Sequence, residues 1–300
     1  MCGIAGWVSY DGEVKARWDL IAKMTETMAL RGPDAKGMFI DRHVGLGHRR
    51  LAVIDLAGGV QPMQAEEDGR VVASLVYTGE VYNFVELRDA LKHLGHHFKT
   101  CSDTEVVLRG YLQWGDKIAE HLNGMFAFAI WDVATEELFL VRDRMGVKPL
   151  FYHPTADGVL FGSEPKAILA HPSVRPRVNK DGLREILVLA KNPEVTVYAG
   201  MHEVRPGQVV RVNRNGITKR RYWTLMTHEH EDDLPRTIRT VTELLEDIVQ
   251  RQIVATDRRR RAAVQPAVRR ARLLVSDSAG APRDLHPARR ADTLVLCRFR

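Results

Sequence analysis

Cysteine is scarce in this chain. Its 300 residues hold only Cys2, Cys101 and Cys297. The number is odd and the three share no metal-ligand spacing, so neither a disulfide framework nor a zinc site is indicated. Such usage fits a reduced, cytoplasmic setting. No apolar run approaches the roughly 20 residues of a bilayer span, and no basic-then-apolar leader opens the chain. A membrane partner and a secretory signal are therefore not expected. What is present is ordinary for a globular protein: 45% hydrophobic and 27% charged residues, on a chain long enough for one large core or two domains.

The basic charge is confined to one end. Net charge is +6, yet residues 257–300 hold twelve Arg and four Asp, with no Lys or Glu. The preceding 256 residues hold 32 basic and 34 acidic groups and are slightly acidic. The same terminal stretch lacks Ile, Tyr and Trp and shows neither helical nor strand periodicity, so it is expected to be disordered. One reading is a basic arm for nucleic acid, which the lack of interleaved aromatics other than Phe299 disfavours. The favoured reading is an out-of-frame translation of a GC-rich gene. Ala262-Ala263-Val264 can be written GCT GCT GTC, which shifted by one base reads Leu-Leu-Ser.

Periodicity organises the rest. Strands are expected at 3–9, 38–41, 44–55, 71–77, 125–132, 137–142, 150–153, 159–163, 208–213 and 217–223. Helices are expected at 17–30, 82–94, 104–114, 180–189 and 237–254. Asn83 with Glu86 forms a capping-box pattern, and Ser102 or Asp103 can cap the third helix. Two groups of strands with helices between them imply a layered α+β architecture.

The chemistry starts at Cys2. Removal of Met1 would give this residue both a thiol, with a pKa of about 8.5, and an α-amine, with a pKa of about 7.7–8.0. One residue then supplies nucleophile and general base. A buried second-position Cys would account for the residue alone; the downstream motifs decide for chemistry. In order come Arg31-Gly32-Pro33-Asp34, Gly47-His48-Arg49-Arg50-Leu51, Thr78-Gly79-Glu80-Val81-Tyr82-Asn83 and Ser102-Asp103-Thr104-Glu105. Later come Asn123-Gly124-Met125-Phe126, Arg142-Asp143-Arg144-Met145-Gly146-Val147-Lys148-Pro149-Leu150 and Gly162-Ser163-Glu164-Pro165-Lys166.

With Cys2, this series resembles the class II glutamine amidotransferases, and glutamine-hydrolysing asparagine synthetase in particular, over residues 2 to about 255. The resemblance implies a four-layer αββα N-terminal-nucleophile hydrolase fold over 2–225. It further implies a linker and first helix of a synthetase domain over 226–255, and leaves 256–300 as the Arg-rich tail. The synthetase domain's phosphate-cradling loop is expected soon after the 237–254 helix; Asp257-Arg258-Arg259-Arg260-Arg261 stands there instead. ATP and Mg²⁺ are thus expected only for a missing synthetase domain, with no cofactor or metal in this chain. A separate synthetase subunit and a homodimer are the protein partners considered.

By the same resemblance, Cys2 attacks the side-chain amide of L-glutamine and forms a thioester. Arg50 clamps the substrate carboxylate, Glu80 and Asp103 face its ammonium, and Leu51, Val53 and Ile54 line the binding stretch. The family usually carries Asn-Gly-Glu where this chain has Thr78-Gly79-Glu80, so the oxyanion donors are expected to be Gly79 N–H and the shorter-reaching Thr78 hydroxyl. Glutaminases of sugar-phosphate or phosphoribosyl amidotransferases, and a non-enzymatic relic, are the alternatives. The run His228-Glu229-His230-Glu231-Asp232-Asp233 has metal-ligating residue types but reads as a solvated linker, and Cys101 as packing. Arg142-Asp143-Arg144 with Lys148 reads equally well as a structural ion-pair loop or as a surface facing a partner domain.

Overall fold

The computed structural model describes residues 1–53, 55, 57–188 and 194–254. Ile54, Leu189 and the Arg-rich tail lie outside the described residues. Residues Met1–Thr224 form one compact unit, and a second begins at Leu225.

The first unit opens with β1 (Gly3–Ser9), α1 (Trp18–Glu26), β2 (Ala35–Ile40), β3 (Val44–Arg50), β4 (Met63–Glu67) and β5 (Arg70–Val81). There follow α2 (Phe84–His93), α3 (Asp103–Trp114), α4 (Ile118–His121), β6 (Gly124–Asp132), β7 (Glu137–Arg142), β8 (Phe151–Thr155) and β9 (Gly158–Gly162). It closes with α5 (Pro165–Leu169), α6 (Lys180–Val188), β10 (His202–Glu203), β11 (Gln208–Asn213) and β12 (Gly216–Arg221). The second unit contributes α7 (Leu234–Val254).

The strands form two six-stranded sheets, ordered β10-β8-β9-β1-β3-β2 and β12-β11-β7-β6-β5-β4, with antiparallel neighbours throughout. Period-two alternation explains the layering. On β6, Ala127, Ala129 and Trp131 turn toward the other sheet, where they meet Ile4, Val8, Leu46 and Phe161. The intervening Phe126, Phe128 and Ile130 turn outward under Val106, Val107 and Tyr111 of α3. On the far side, Ala5 and Leu160 pack beneath Ile21, Met24 and Met28. Both faces of both central sheets are covered, so each buried aromatic or branched side chain contributes about 1.5–3 kcal/mol of burial. The fold is the expected α+β, four-layer αββα sandwich.

Several expectations change in detail. The strand read at 44–55 stops at Arg50, and none of the described residues between Arg50 and Met63 belongs to a strand. Backbone groups there are taken elsewhere: Leu51 N–H points to Cys2 Sγ, and the Arg50 guanidinium holds the Asp55 carbonyl at 2.7 Å. The Asn83–Glu86 capping box does not form. Asn83 Oδ1 instead accepts Asn123 N–H at 2.9 Å and its amide donates to the His121 carbonyl at 3.0 Å. At α3 the cap is Ser102, whose hydroxyl accepts Glu105 N–H; Asp103 is thereby released for another task. The short β4, α4 and α5 were too brief to carry a period. In the second unit α7 begins a turn earlier than expected, because the Asp233 side chain accepts Arg236 N–H at 2.8 Å. No helix among the described residues is long and apolar enough to cross a membrane.

Candidate active site

Cys2 stands one residue before β1, at the edge where the two sheets and α3 converge. Its register neighbour Gly3 pairs with Arg49, which brings the end of β3 alongside. Leu51 N–H lies 3.3 Å from Cys2 Sγ, and the thiol reaches the Leu51 carbonyl at 3.4 Å. Burial pushes the thiol's pKa up; Leu51 N–H, the terminal ammonium and Arg50 oppose this, and Asp103 adds to it. A small cleft of about 100 Å³ opens over the sulfur. Arg50, Leu51, Val53, Thr78, Gly79, Glu80 and Asp103 all line it with Cys2. Of the residues expected from the sequence to form the site, Ile54 alone lies outside the described residues.

The separated motifs form one support. Arg31 donates from Nε to the Cys2 carbonyl at 3.0 Å and from Nη1 to Glu164 at 3.0 Å, tying the first and last motifs to Cys2. Gly32 lets that turn lie flat on β3, since a Cβ there would sit 2.3 Å from the Arg49 carbonyl carbon. Asp34 accepts Ala52 N–H at 2.8 Å and steadies the loop under the cleft. Gly79 meets the same kind of constraint: a Cβ there would lie 2.3 Å from the Met125 carbonyl oxygen on β6.

Asp103, only 4% exposed, is the first residue of α3. Its Oδ2 accepts Tyr77 O–H at 2.8 Å and Val81 N–H at 3.1 Å. Burial raises its pKa, while these bonds and backbone N–H groups at the helix start oppose the rise. Glu80 is half-buried; desolvation raises its pKa, Lys148 lowers it and Asp103 raises it further. The cleft thus brings a guanidinium, two carboxyl groups and a thiol into one lining.

The Thr78 hydroxyl does not point free into the cleft. It donates to the Cys2 carbonyl at 3.0 Å, sharing that oxygen with Arg31. It holds the backbone of Cys2, which its position in the sequence does not reveal. Sequence reasoning also missed Gln61, which accepts Tyr77 N–H at 2.6 Å and donates to Thr104. Arg142 and Asp143 resolve to structure. Arg142 pairs with Glu203 at 2.8 Å, and Asp143 accepts N–H groups of Phe126, Met145, Val147 and Lys148. Lys148, by contrast, lines the cleft. The 228–233 run is bound up locally, with His230 on Thr237 and Asp232 on Arg236. Among the described residues no group of three or more His, Cys, Asp or Glu side chains is placed to hold a metal ion. Cys101 is exposed, and its backbone N–H is held by Asp55.

Beneath the cleft, His48 is fully buried and its Nε2–H donates to the Tyr77 carbonyl at 3.1 Å, leaving Nδ1 without a partner. Burial holds its pKa down to about 4, helped by Arg50 and opposed by the Tyr77 bond. The unfolded chain therefore binds a proton between about pH 6.5 and pH 4 that the native state refuses. Stability is full above that window and falls as pH drops through it, by up to about 3 kcal/mol from this group. Urea unfolding at pH 7 and pH 4.5 will show a smaller acid loss in His48→Gln; an equal loss would assign the acid lability elsewhere.

The glutamine amidotransferase domain family matches residues 1–223. The chain belongs to this family. Among curated relatives, asparagine synthetase [glutamine-hydrolyzing] 3 of Bacillus subtilis (strain 168) is 42% identical over 257 residues, covering 85% of this chain and 42% of that protein. A putative asparagine synthetase [glutamine-hydrolyzing] 2 of Methanocaldococcus jannaschii is 34% identical, covering 83% of this chain and 52% of its own. The chain thus spans about two-fifths to one-half of these relatives. Among solved structures, the glutamine phosphoribosylpyrophosphate amidotransferase of B. subtilis superposes with a TM-score of 0.55 at 19% identity, covering 76% of this chain and 50% of that one. That likeness confirms the fold of the amidotransferase domain. Its sequence relationship runs to the glutaminase domains of the asparagine synthetases.

Proposed function

We propose that this domain hydrolyses L-glutamine to L-glutamate and ammonia at Cys2, after Met1 has been removed. The observation that carries the reading is the cleft itself, where a thiol that meets Leu51 N–H shares one lining with the Arg50 guanidinium and the carboxyl groups of Asp103 and Glu80. An α-amino acid needs that pairing of a cation for its carboxylate and anions for its ammonium. In the proposal the α-amine of Cys2 takes the thiol proton and Sγ bonds to the amide carbon, with the carbonyl electron pair moving onto oxygen. Gly79 N–H is assigned as a donor to that oxyanion. Collapse expels the amide nitrogen, which takes the proton from the ammonium and leaves as ammonia. Water then adds to the thioester, and the thiol and glutamate are released.

We assign substrate binding to Arg50, Leu51, Val53, Ile54, Glu80 and Asp103, and assign Thr78 to holding the Cys2 backbone. ATP and Mg²⁺ enter only for an acceptor half-reaction on a synthetase domain or subunit, and no step at Cys2 uses them. The B. subtilis and M. jannaschii relatives support asparagine as the product of that second half. The domain limits we propose are 2–225 for the glutaminase and 226–255 for the start of the synthetase part.

The test is direct. Mass spectrometry of the purified protein should show Cys2 at the amino terminus, and incubation with glutamine should release glutamate and ammonia in equal amounts. Absence of both products from the processed protein refutes the reading. Thr78→Asn supplies a longer donor and is expected not to lower turnover; a large loss would mean that the hydroxyl's bond to the Cys2 carbonyl matters more than a further oxyanion donor.

A further inference from the structure

Lys148 is a buried cation without a matching anion in contact. It is only 6% exposed, yet it lines the cleft, and the contact of its Nζ there is Met1 Sδ at 3.4 Å. Among the described residues no carboxylate lies within 4 Å of that ammonium. A thioether is a poor partner for a desolvated charge, and this one departs with Met1. The backbone of Lys148 is nonetheless fixed firmly. Its N–H is held by Asp143 at 3.0 Å and its carbonyl by Arg142 Nε at 2.8 Å. Arg142 also grips the carbonyls of Val204 and Gly146. A tight, internally bonded loop thus holds one lysine at the nucleophile.

We propose that Lys148 is a positioning residue for the nucleophile–base pair, its ammonium placed in the cleft it shares with Cys2 so that the thiolate and the neutral α-amine are both favoured. The inference rests on the glutaminase reading of the cleft. One positive charge moves both groups in the useful direction, because it stabilises an anion on sulfur and destabilises a cation on nitrogen. The same charge also faces Glu80 on β5. Other groups around it are Arg31 in the turn after α1, Asp143 on its own loop and Cys2. Arg50 and Asp103 face the thiol from β3 and α3, and Asp34 acts on the Met1 amine of the unprocessed chain. In the unprocessed chain the Met1 ammonium has its pKa lowered, first by burial and then by Arg31 and Lys148, against the opposing effect of Cys2 and Asp34. Burial lowers the pKa of Lys148 itself, while Glu80 is the first group holding it up.

The experiment measures alkylation of Cys2 by iodoacetamide across pH, read peptide by peptide by mass spectrometry so that Cys101 and Cys297 are separated, alongside the pH profile of kcat/KM. In Lys148→Met and Lys148→Gln, the midpoint for Cys2 alkylation is expected to rise by about one pH unit, with the acid limb of kcat/KM moving the same way. Lys148→Arg should restore both. Removing a buried charge is seldom destabilising when the site stays packed, and the two neutral variants guard against misfolding of either one. An unchanged alkylation midpoint in the neutral variants, whatever happens to activity, overturns the proposal. If the wild type fails to hydrolyse glutamine, the glutaminase reading falls, yet the alkylation midpoint still decides the role of Lys148.

Discussion

Cys2→Ala is expected to abolish glutamine hydrolysis and to leave the melting transition in place. The sulfur makes two weak bonds, to Leu51 N–H and the Leu51 carbonyl, and is half-buried, so its loss costs no more than about 1 kcal/mol of stability. Its chemistry has no substitute. The other hydroxyls lining the cleft belong to Tyr77, Thr78 and Thr104. Tyr77 is committed to Asp103 and Thr78 to the Cys2 carbonyl, while Thr104 is held by Gln61. Loss of a nucleophile that acts together with its base lowers kcat by roughly 10⁴-fold or more. Cys2→Ser keeps a similar shape but offers a hydroxyl far harder to deprotonate, and should be nearly as inactive. The assay is glutamate release against thermal melting. Retention of more than about a tenth of wild-type turnover by Cys2→Ala would remove Cys2 from the reaction, since a lost nucleophile costs orders of magnitude.

Asp103→Asn is expected to raise KM for glutamine by roughly 10- to 100-fold, the size of one charge-assisted hydrogen bond of about 1.5–3 kcal/mol. The side chain is held by Tyr77 O–H and Val81 N–H through one oxygen. An asparagine can turn its carbonyl oxygen to both donors and keep the fold. Its amide then faces the cleft as a donor, where the substrate ammonium needs an acceptor. The defect should fall mainly on KM, because the ammonium is as charged in the ground state as during reaction. Steady-state kinetics across glutamine concentration separates the two parameters. A fall in kcat at unchanged KM would place Asp103 with the reacting atoms instead.

The strand and helix periods of the chain predict the layers, because alternation on β6 and the apolar stripes of α1 and α3 are local properties of side chains and backbone. Boundaries were legible only where local rules act alone. Arg50 ends β3 because its guanidinium and the next N–H find partners in a loop and in Cys2. Asn83 leaves its capping box for a backbone 40 residues away. Neither Cys2 nor Asn123 is adjacent in sequence to the group it meets, so no local rule anticipates the pairing.

The order of residue types along the chain by itself determined the layered α+β fold and the residue types, Cys2 and the charges around it, that meet in the cleft. Family membership follows from that same order. Tertiary structure alone decided three matters. It turned the Thr78 hydroxyl onto the Cys2 carbonyl, it made Arg142 and Asp143 the frame of a loop, and it set Lys148 in the cleft. The reason is physical. A residue's chemical type is fixed by the sequence, but which polar partner it finds, and whether its charge is met, depends on what distant segments the sandwich brings within about 3 Å.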